Sequence, residues 1–340
     1  MSAPVEATRP ERGQRLRHRP RLSAAQRGIL LAVAIFAVMF AVYGWKQPVG
    51  LTANVINTAS NKGALLALVA MAQTLPVLTG GLDLSVGAIF VLSNCLASSI
   101  VVGDPVSTAF GIIAVLLVGL LCGATNGIII VYGRLQPLIV TLATGAVYFG
   151  IALALRPQPG GTVNFELADF MTRSSYAVPH SAVLLLLVVL LVWIPYRRSV
   201  LGRAAFAIGT AEQAAYMSGV PVQRAKVLAY ALSGMMASIG GLLLTAVTYS
   251  GAAKVSIAND YTLNSIGAVV IGGTSLFGGV GSAVGSIFGA FVMRTVGDLL
   301  IVFDINPVLQ PLFVGLVLLG AVCIGSLRVL RIKNKLDLYR

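Results

Sequence analysis

Seven uncharged polar side chains, Gln73, Thr74, Asn94, Asn126, Thr141, Thr144 and Asn264, fall within apolar runs of the sequence. Amides and hydroxyls in that setting have two uses. They can line a path for a neutral hydroxylated solute, giving hydrogen bonds without a charge that would trap it, or they can bond from helix to helix as packing glue. Gln73, Asn94, Asn126, Thr141, Thr144 and Asn264 are the candidate path residues. Other chemistry has little to work with. The two histidines, His18 and His180, lack a partner at the spacing of a metal site or of a nucleophile and its base. Cys95, Cys122 and Cys323 sit in apolar runs and read as small hydrophobes, so neither a disulfide framework nor a metal site is expected. A proton-coupled carrier is expected to hold carboxylates within its spans, whereas Asp83, Asp104, Asp260, Asp298 and Asp304 fall at span ends or in loops. No GxxxxGK[ST] phosphate loop occurs, so the chain is not expected to be an enzyme or to bind a nucleotide cofactor itself.

The elements that position these groups are membrane spans. Of 340 residues, 57 % are hydrophobic and 10 % charged, and the mean hydropathy is +0.90. Those values lie far from globular averages and specify an all-α polytopic membrane protein. The sequence divides into a basic tail at 1–27, a transmembrane domain at 28–325 and a second basic tail at 326–340. The first span, 28–43, is long for a signal peptide and lacks a small-residue cleavage site, so it reads as retained. Residues 51–61 are amphipathic and read as lying partly in the interface. A second span at 63–80 contains Pro76 and stops at Gly80-Gly81, and Asp83 reads as the N-cap of a third at 84–102. Further spans are read at 108–132, 137–155, 181–196 and 227–247, then a broken pair at 263–273 and 278–296, and a tenth at 307–325. Gly119, Gly123 and Gly127 recur every four residues, a stripe that lets another helix approach closely. The loop at 156–180 is too long for a simple turn and is a candidate for function on the periplasmic side. Gly80, Gly81, Leu84 and Gly87 match Gly272, Gly273, Leu276 and Gly279 in spacing, a weak repeat in so glycine-rich a chain.

Ten crossings place both termini in the cytoplasm, and the cations agree. Eighteen of the 24 lysines and arginines then fall inside, in the two tails, at Arg134 and in the loop at 197–226. That loop carries Arg197, Arg198, Arg203, Arg224 and Lys226 between two apolar runs. Within it, Thr210 and Gln213 read as a capping box opening a short helix over 211–218, and Gly219 with Pro221 reads as its stop. A helix that short is marginal in water and needs a docking surface, which points to a partner protein.

Four stretches in order, LTGGLDLSVGAI from Leu78, TLATGAVYFGIAL, LGRAAFAIGTAEQAAYMSGV and AVVIGGTSLFGGVGSAVG, resemble the ribose-type permease subunits of bacterial ABC sugar importers. The resemblance covers about 54–321. It implies an inner-membrane permease that pairs with itself or a related chain, receives a monosaccharide from a periplasmic binding protein, and works with a cytoplasmic ATPase subunit that uses ATP and magnesium. The matching loop positions include Gly202, Arg203, Gly209, Glu212, Ala214, Ala215, Ser218 and Gly219. Arg203, Thr210, Glu212, Ala215, Ser218 and Gly219 are therefore the expected ATPase-coupling residues. Gly81, Asp83, Ser85, Gly87, Gly272 and Gly273 belong to the shared motifs. The chain departs from the family where Phe149-Gly150 stands in place of an arginine-glycine pair, and where Ala143 replaces a common glycine. Relatives of this family also carry other solutes, among them inositol, a furanone signal molecule and nucleosides. The competing class is an ion-gradient-driven secondary carrier.

Overall fold

The computed structural model describes residues 23–176, 178–320 and 323, so most of the N-terminal tail and all of the tail at 326–340 lie outside the described residues. The described chain is helical except for one two-stranded hairpin and an isolated bridge between Gly160 and Gly251. Seven helical segments are long and apolar enough to cross a membrane. They are α1 (Ala24–Lys46), α2 (Ala53–Leu78), α4 (Pro105–Tyr132), α5 (Pro137–Leu155), the run formed by α7 (His180–Val188) and α8 (Ile194–Arg198), α11 (Val222–Thr248) and α13 (Ala283–Val302). Two shorter helices, α3 (Val86–Ile100) and α12 (Val255–Ile271), lie among them. An apolar segment, Pro307–Gly320, follows α13.

The helices begin where side chains can satisfy their first amides. Thr52 caps α2 through the Val55 amide, and Asp104 caps α4 through those of Val106 and Ser107 with Pro105 in the first turn. From Ala53 on, the amphipathic stretch at 51–61 forms the first turns of α2, one 26-residue helix. Its two asparagines, Asn57 and Asn61, both donate to the Thr172 carbonyl and so tie these turns to the loop at 156–180. From Gly63 to Leu78 every residue of α2 is buried, which makes it the axis of the bundle. Pro76 falls in its last turn, where the helix is ending anyway. Between α7 and α8 the helix widens into a π-turn, Val189–Trp193, just before Pro195, whose missing amide loosens the ladder there.

The glycine stripe does what its spacing predicts. A Cβ on Gly123 would stand 2.1 Å from the Tyr230 carbonyl, and one on Gly119 2.6 Å from that of Gly234, so α4 and α11 touch backbone to backbone. The two glycine pairs do not match position for position, since Gly272, the counterpart of Gly80, keeps φ −66°. Both glycine pairs end a helix, with Gly80 at φ +80° after α2 and Gly273 at φ +81° after α12. The loops that follow meet where the Gly279 amide donates to the Leu78 carbonyl at 3.1 Å.

Asp83 does not cap a span at the membrane edge. It is fully buried in the loop between α2 and α3, and α3 starts three residues later, behind Ser85. The broken pair is displaced too: the first member is α12, eight residues longer on its N-terminal side than expected, and the second, α13, starts only at Ala283. Gly278 and Gly279, expected to open that span, adopt positive φ in the loop instead. The long loop at 156–180 folds into α6 (Phe165–Thr172) and the hairpin β1 (Ser174–Ser175) with β2 (Val178–Pro179). It is bolted to the C-terminal end of α3: Arg156 donates to the Ser98 hydroxyl and carbonyl, and Asn164 to the Gly103 carbonyl.

Candidate functional site

At the opposite end of the bundle, the segment 197–226 folds into α9 (Val200–Thr210), α10 (Glu212–Met217) and the start of α11. Ser199 begins it, its hydroxyl accepting from the Gly202 amide at 3.0 Å. Gly202 and Gly209 then bring the chain close to its neighbours. A Cβ on Gly202 would stand 1.8 Å from the Tyr196 carbonyl, and one on Gly209 2.1 Å from that of Leu78 and 2.2 Å from the Gly279 amide. The end of α9 thus rests directly on both glycine loops. Ala204, Ile208, Ala215, Val222 and Ala225 close a small core beneath α10, with Leu201 and Val220 packed against it.

The capping box is absent. Thr210 is the last residue of α9 and donates to the Phe206 carbonyl at 3.0 Å. The residue between the helices is Ala211, extended at φ −160°, with no side-chain cap. The expected helix over 211–218 is therefore six residues long, Glu212–Met217. It is held from below by Ala215 and from the side by an ion pair between Glu212 and Lys226 at 2.5 Å. With Glu212 half-exposed, that pair is worth about 1 kcal/mol or less. The stop holds: Gly219 takes φ +76°, and the Val220 amide returns to the Ala215 carbonyl at 3.1 Å. Ser218 donates to the Ala214 carbonyl, and Arg203 to that of Arg198.

Two residues that the motif positions do not include stand furthest out. Tyr216 and Met217 are 70 % and 88 % exposed at the tip of α10, beside a recess lined by Ile130, Arg134, Pro137, Glu212 and Lys226. Two large apolar side chains on so short a loop helix are the signal the sequence offered. Both types are enriched at protein interfaces.

The candidate path residues lie in the bundle's interior. Gln73, its amide oriented to satisfy both neighbours, donates to the Asp83 carbonyl and accepts from the Asp83 amide. Asp83 Oδ1 accepts from the Ser85 amide at 2.9 Å and the Ser85 hydroxyl at 2.6 Å. The Ser85 hydroxyl in turn accepts from Asn126, whose own oxygen accepts from the Tyr148 hydroxyl at 3.0 Å. Ser233 on α11 approaches Asp83 Oδ2 at 3.5 Å. Thr141 accepts from the Leu84 amide at 3.0 Å, and Asn94 ties α3 to Thr245, Ser250 and Ala252. Gln73, Asn94, Asn126 and Thr141 are buried and fully engaged within the chain. Thr144 is half-buried and bonds to the Val140 carbonyl, while Asn264 is half-buried on α12.

Gly81 and Gly87 are tight contacts: a Cβ would meet the Tyr230 hydroxyl at 2.4 Å and the Ala258 carbonyl at 2.0 Å respectively. Gly272 packs against Gly285 of α13 in the same way. His180 is tied to the Phe170 carbonyl and to Ser175, which makes it a fastener of the hairpin. Among the described residues, no three His, Cys, Asp or Glu side chains gather as metal ligands.

A model of the family described as branched-chain amino acid transport system / permease component matches residues 55–322. The ribose import permease protein RbsC of Bacillus subtilis (strain 168) is 35 % identical over 76 % of this chain and 80 % of its own length. The protein of the same name from Escherichia coli (strain K12) is 32 % identical over 85 % and 91 %. The D-allose transport system permease protein AlsC of Escherichia coli (strain K12) is 30 % identical over 86 % and 90 %. No solved structure matches the chain.

Proposed function

Because this chain belongs to the branched-chain amino acid transport system / permease component family, we propose that it carries a monosaccharide, a pentose such as ribose or a related sugar or polyol, from a periplasmic binding protein into the cytoplasm. It is the permease component of an ABC importer, a multi-pass protein of the bacterial inner membrane, and a transport subunit without ATPase activity of its own. Its family works with an ATPase subunit and a binding protein. The sugar assignment rests on the names of the relatives, which are ribose and D-allose permeases.

In this reading the chain crosses the membrane ten times, counting the seven long segments, α3, α12 and the segment from Pro307. Both tails, 1–27 and 326–340, are cytoplasmic, and the domain at 28–325 works as a dimer with itself or a related permease. The cation distribution supports this orientation. The loop at 156–180 then faces the periplasm, and 197–226 faces the ATPase, which binds the ATP and magnesium. Thr144 and Asn264 remain candidates for the solute path. Gln73, Asn94, Asn126 and Thr141 can serve it only if their present bonds open during transport.

The observation that carries the reading is the coupling element itself. Its tip, Tyr216 and Met217, lies uncovered, while its base at Gly209 touches the loops after both α2 and α12. A partner that grips the tip therefore moves the two places where spans break. Arg203, Thr210, Glu212, Ser218 and Gly219 surround that tip as the remaining contact candidates, with Ala215 holding it from beneath. Proteoliposomes holding the permease, its ATPase and binding protein test this with labelled D-ribose. Uptake is expected to require internal or external ATP on the ATPase side and to ignore sodium and proton gradients. Uptake driven by an ion gradient with no ATPase present would establish a secondary carrier instead.

A further inference from the structure

The helices at the edge of the bundle expose two different chemistries. On α4 the outward series of Phe110, Ile113, Leu117, Leu121, Thr125 and Ile128 is apolar but for Thr125, whose hydroxyl is spent on the Leu121 carbonyl, as lipid requires. On α12 the exposed positions are the apolar Val255 and Leu263 together with Ser256, Asn259 and Asp260, so that Ser256, Asn259, Asp260 and Leu263 follow one face at i, i+3, i+4 and i+7 with three polar side chains among them. At 17 residues, α12 is also not among the shorter apolar helices of the chain. It is nevertheless embedded. Its inner face packs on α13 through Ala268 and Gly289, and on α3 where Thr262 accepts from the Gly87 amide. The loop that leads into it runs down α3, with Gly251 against Ser98 and Ala252 bonded to Asn94, before α12 begins.

A carboxylate and two amides facing hydrocarbon would cost several kcal/mol. The side chains of Asn259, Asp260 and Asn264 have no hydrogen bond among the described residues, in contrast to Gln73, Asn94 and Asn126, which are fully engaged. Behind them, Tyr261 stacks on Phe90 with ring centroids 4.4 Å apart. Arg294 of α13 stands close to Tyr261, and its Nε is buried with no partner.

We propose that the face of α12 carrying Ser256, Asn259, Asp260 and Asn264 lines a water-filled solute path, and that its unspent amide and carboxylate groups bind the hydroxyls of a neutral polyhydroxylated solute. This rests on the importer reading for the identity of the solute, but the wetness of the face does not. Amides and a carboxylate accept and donate to vicinal hydroxyls, and the Asp260 charge disfavours phosphorylated or acidic sugars, so the face selects for neutral ones.

The test uses the complete transporter in liposomes, with Cys95, Cys122 and Cys323 replaced by serine. Asn259→Cys and Ser256→Cys are compared with Leu117→Cys for reaction with a membrane-impermeant cationic methanethiosulfonate, with and without ATP. At least one of the two α12 cysteines is expected to react about tenfold or more faster than Leu117→Cys in at least one nucleotide state. Reaction as slow as that of Leu117→Cys in every state overturns the proposal and shows the face covered by lipid or by a second permease copy. In the same liposomes, Asp260→Asn is expected to lower uptake of labelled D-ribose about tenfold, the loss of a hydrogen bond to a charged group, and Asp260→Glu to restore part of it. Unchanged ribose uptake in Asp260→Asn overturns the hydroxyl-binding role. If the unsubstituted transporter takes up no ribose, the sugar assignment fails while the labelling comparison still decides whether α12 is wet.

Discussion

The knot around Asp83 and the tip of α10 both attract notice in the sequence as polar interruptions of apolar runs, yet they end in opposite conditions. In the knot nearly every strong donor and acceptor finds a partner inside the chain: Gln73 clamps the Asp83 backbone, Ser85 holds its carboxylate, and Asn126 and Tyr148 extend the network to α4 and α5, the buried Tyr230 hydroxyl beside Gly81 being the exception. At the tip of α10, Tyr216 and Met217 have almost nothing over them, and the helix beneath is six residues long. What separates the two is therefore surface left uncovered, which the sequence pattern alone does not reveal.

Substitutions can break that contrast from either side. The largest effect is expected at the exposed end. Met217→Asp places a charge where an apolar partner surface is expected, and should reduce ATP-driven uptake tenfold or more while the permease accumulates normally in the membrane. Normal uptake would mean that the tip touches nothing. Next comes Asp83→Ala, which strands the Ser85 amide and hydroxyl in the interior at a cost of about 2–3 kcal/mol, read as a lowered midpoint of thermal unfolding in detergent. Unaltered stability with lost uptake would instead assign Asp83 to the solute. The smallest is Asn94→Ala, which removes interhelical hydrogen bonds worth about 1 kcal/mol in all and should lower the same midpoint slightly with uptake retained. A selective loss of uptake would return Asn94 to the path.

Much of the architecture was legible because membrane spans announce themselves by composition. Pro137 to Leu155 was read to the residue, and the stripe at Gly119, Gly123 and Gly127 correctly foretold a backbone contact, though the spacing could not name α11 as its partner. The misses share a physical origin. Thr210 and Gln213 have the residue types of a capping box, but the apolar contacts of Ala204 and Ile208 carry α9 through to Thr210, so the cap position falls to Ala211. Asp83 reads as a helix cap because sequence spacing cannot show that Gln73, Ser85 and Ser233 converge on it from α2, the loop and α11. The start of α12 was missed because its outer half is polar, and hydropathy reads a wet membrane helix as a loop.

If the permease is driven by its ATPase through the tip of α10, that tip touches the ATPase subunit. A photo-crosslinking amino acid in place of Met217, in membranes holding the complete transporter, tests it most directly. A single adduct with the mass of permease plus ATPase subunit, formed from the cytoplasmic side, is expected. An adduct with the periplasmic binding protein, or labelling of that position only from outside, would contradict it.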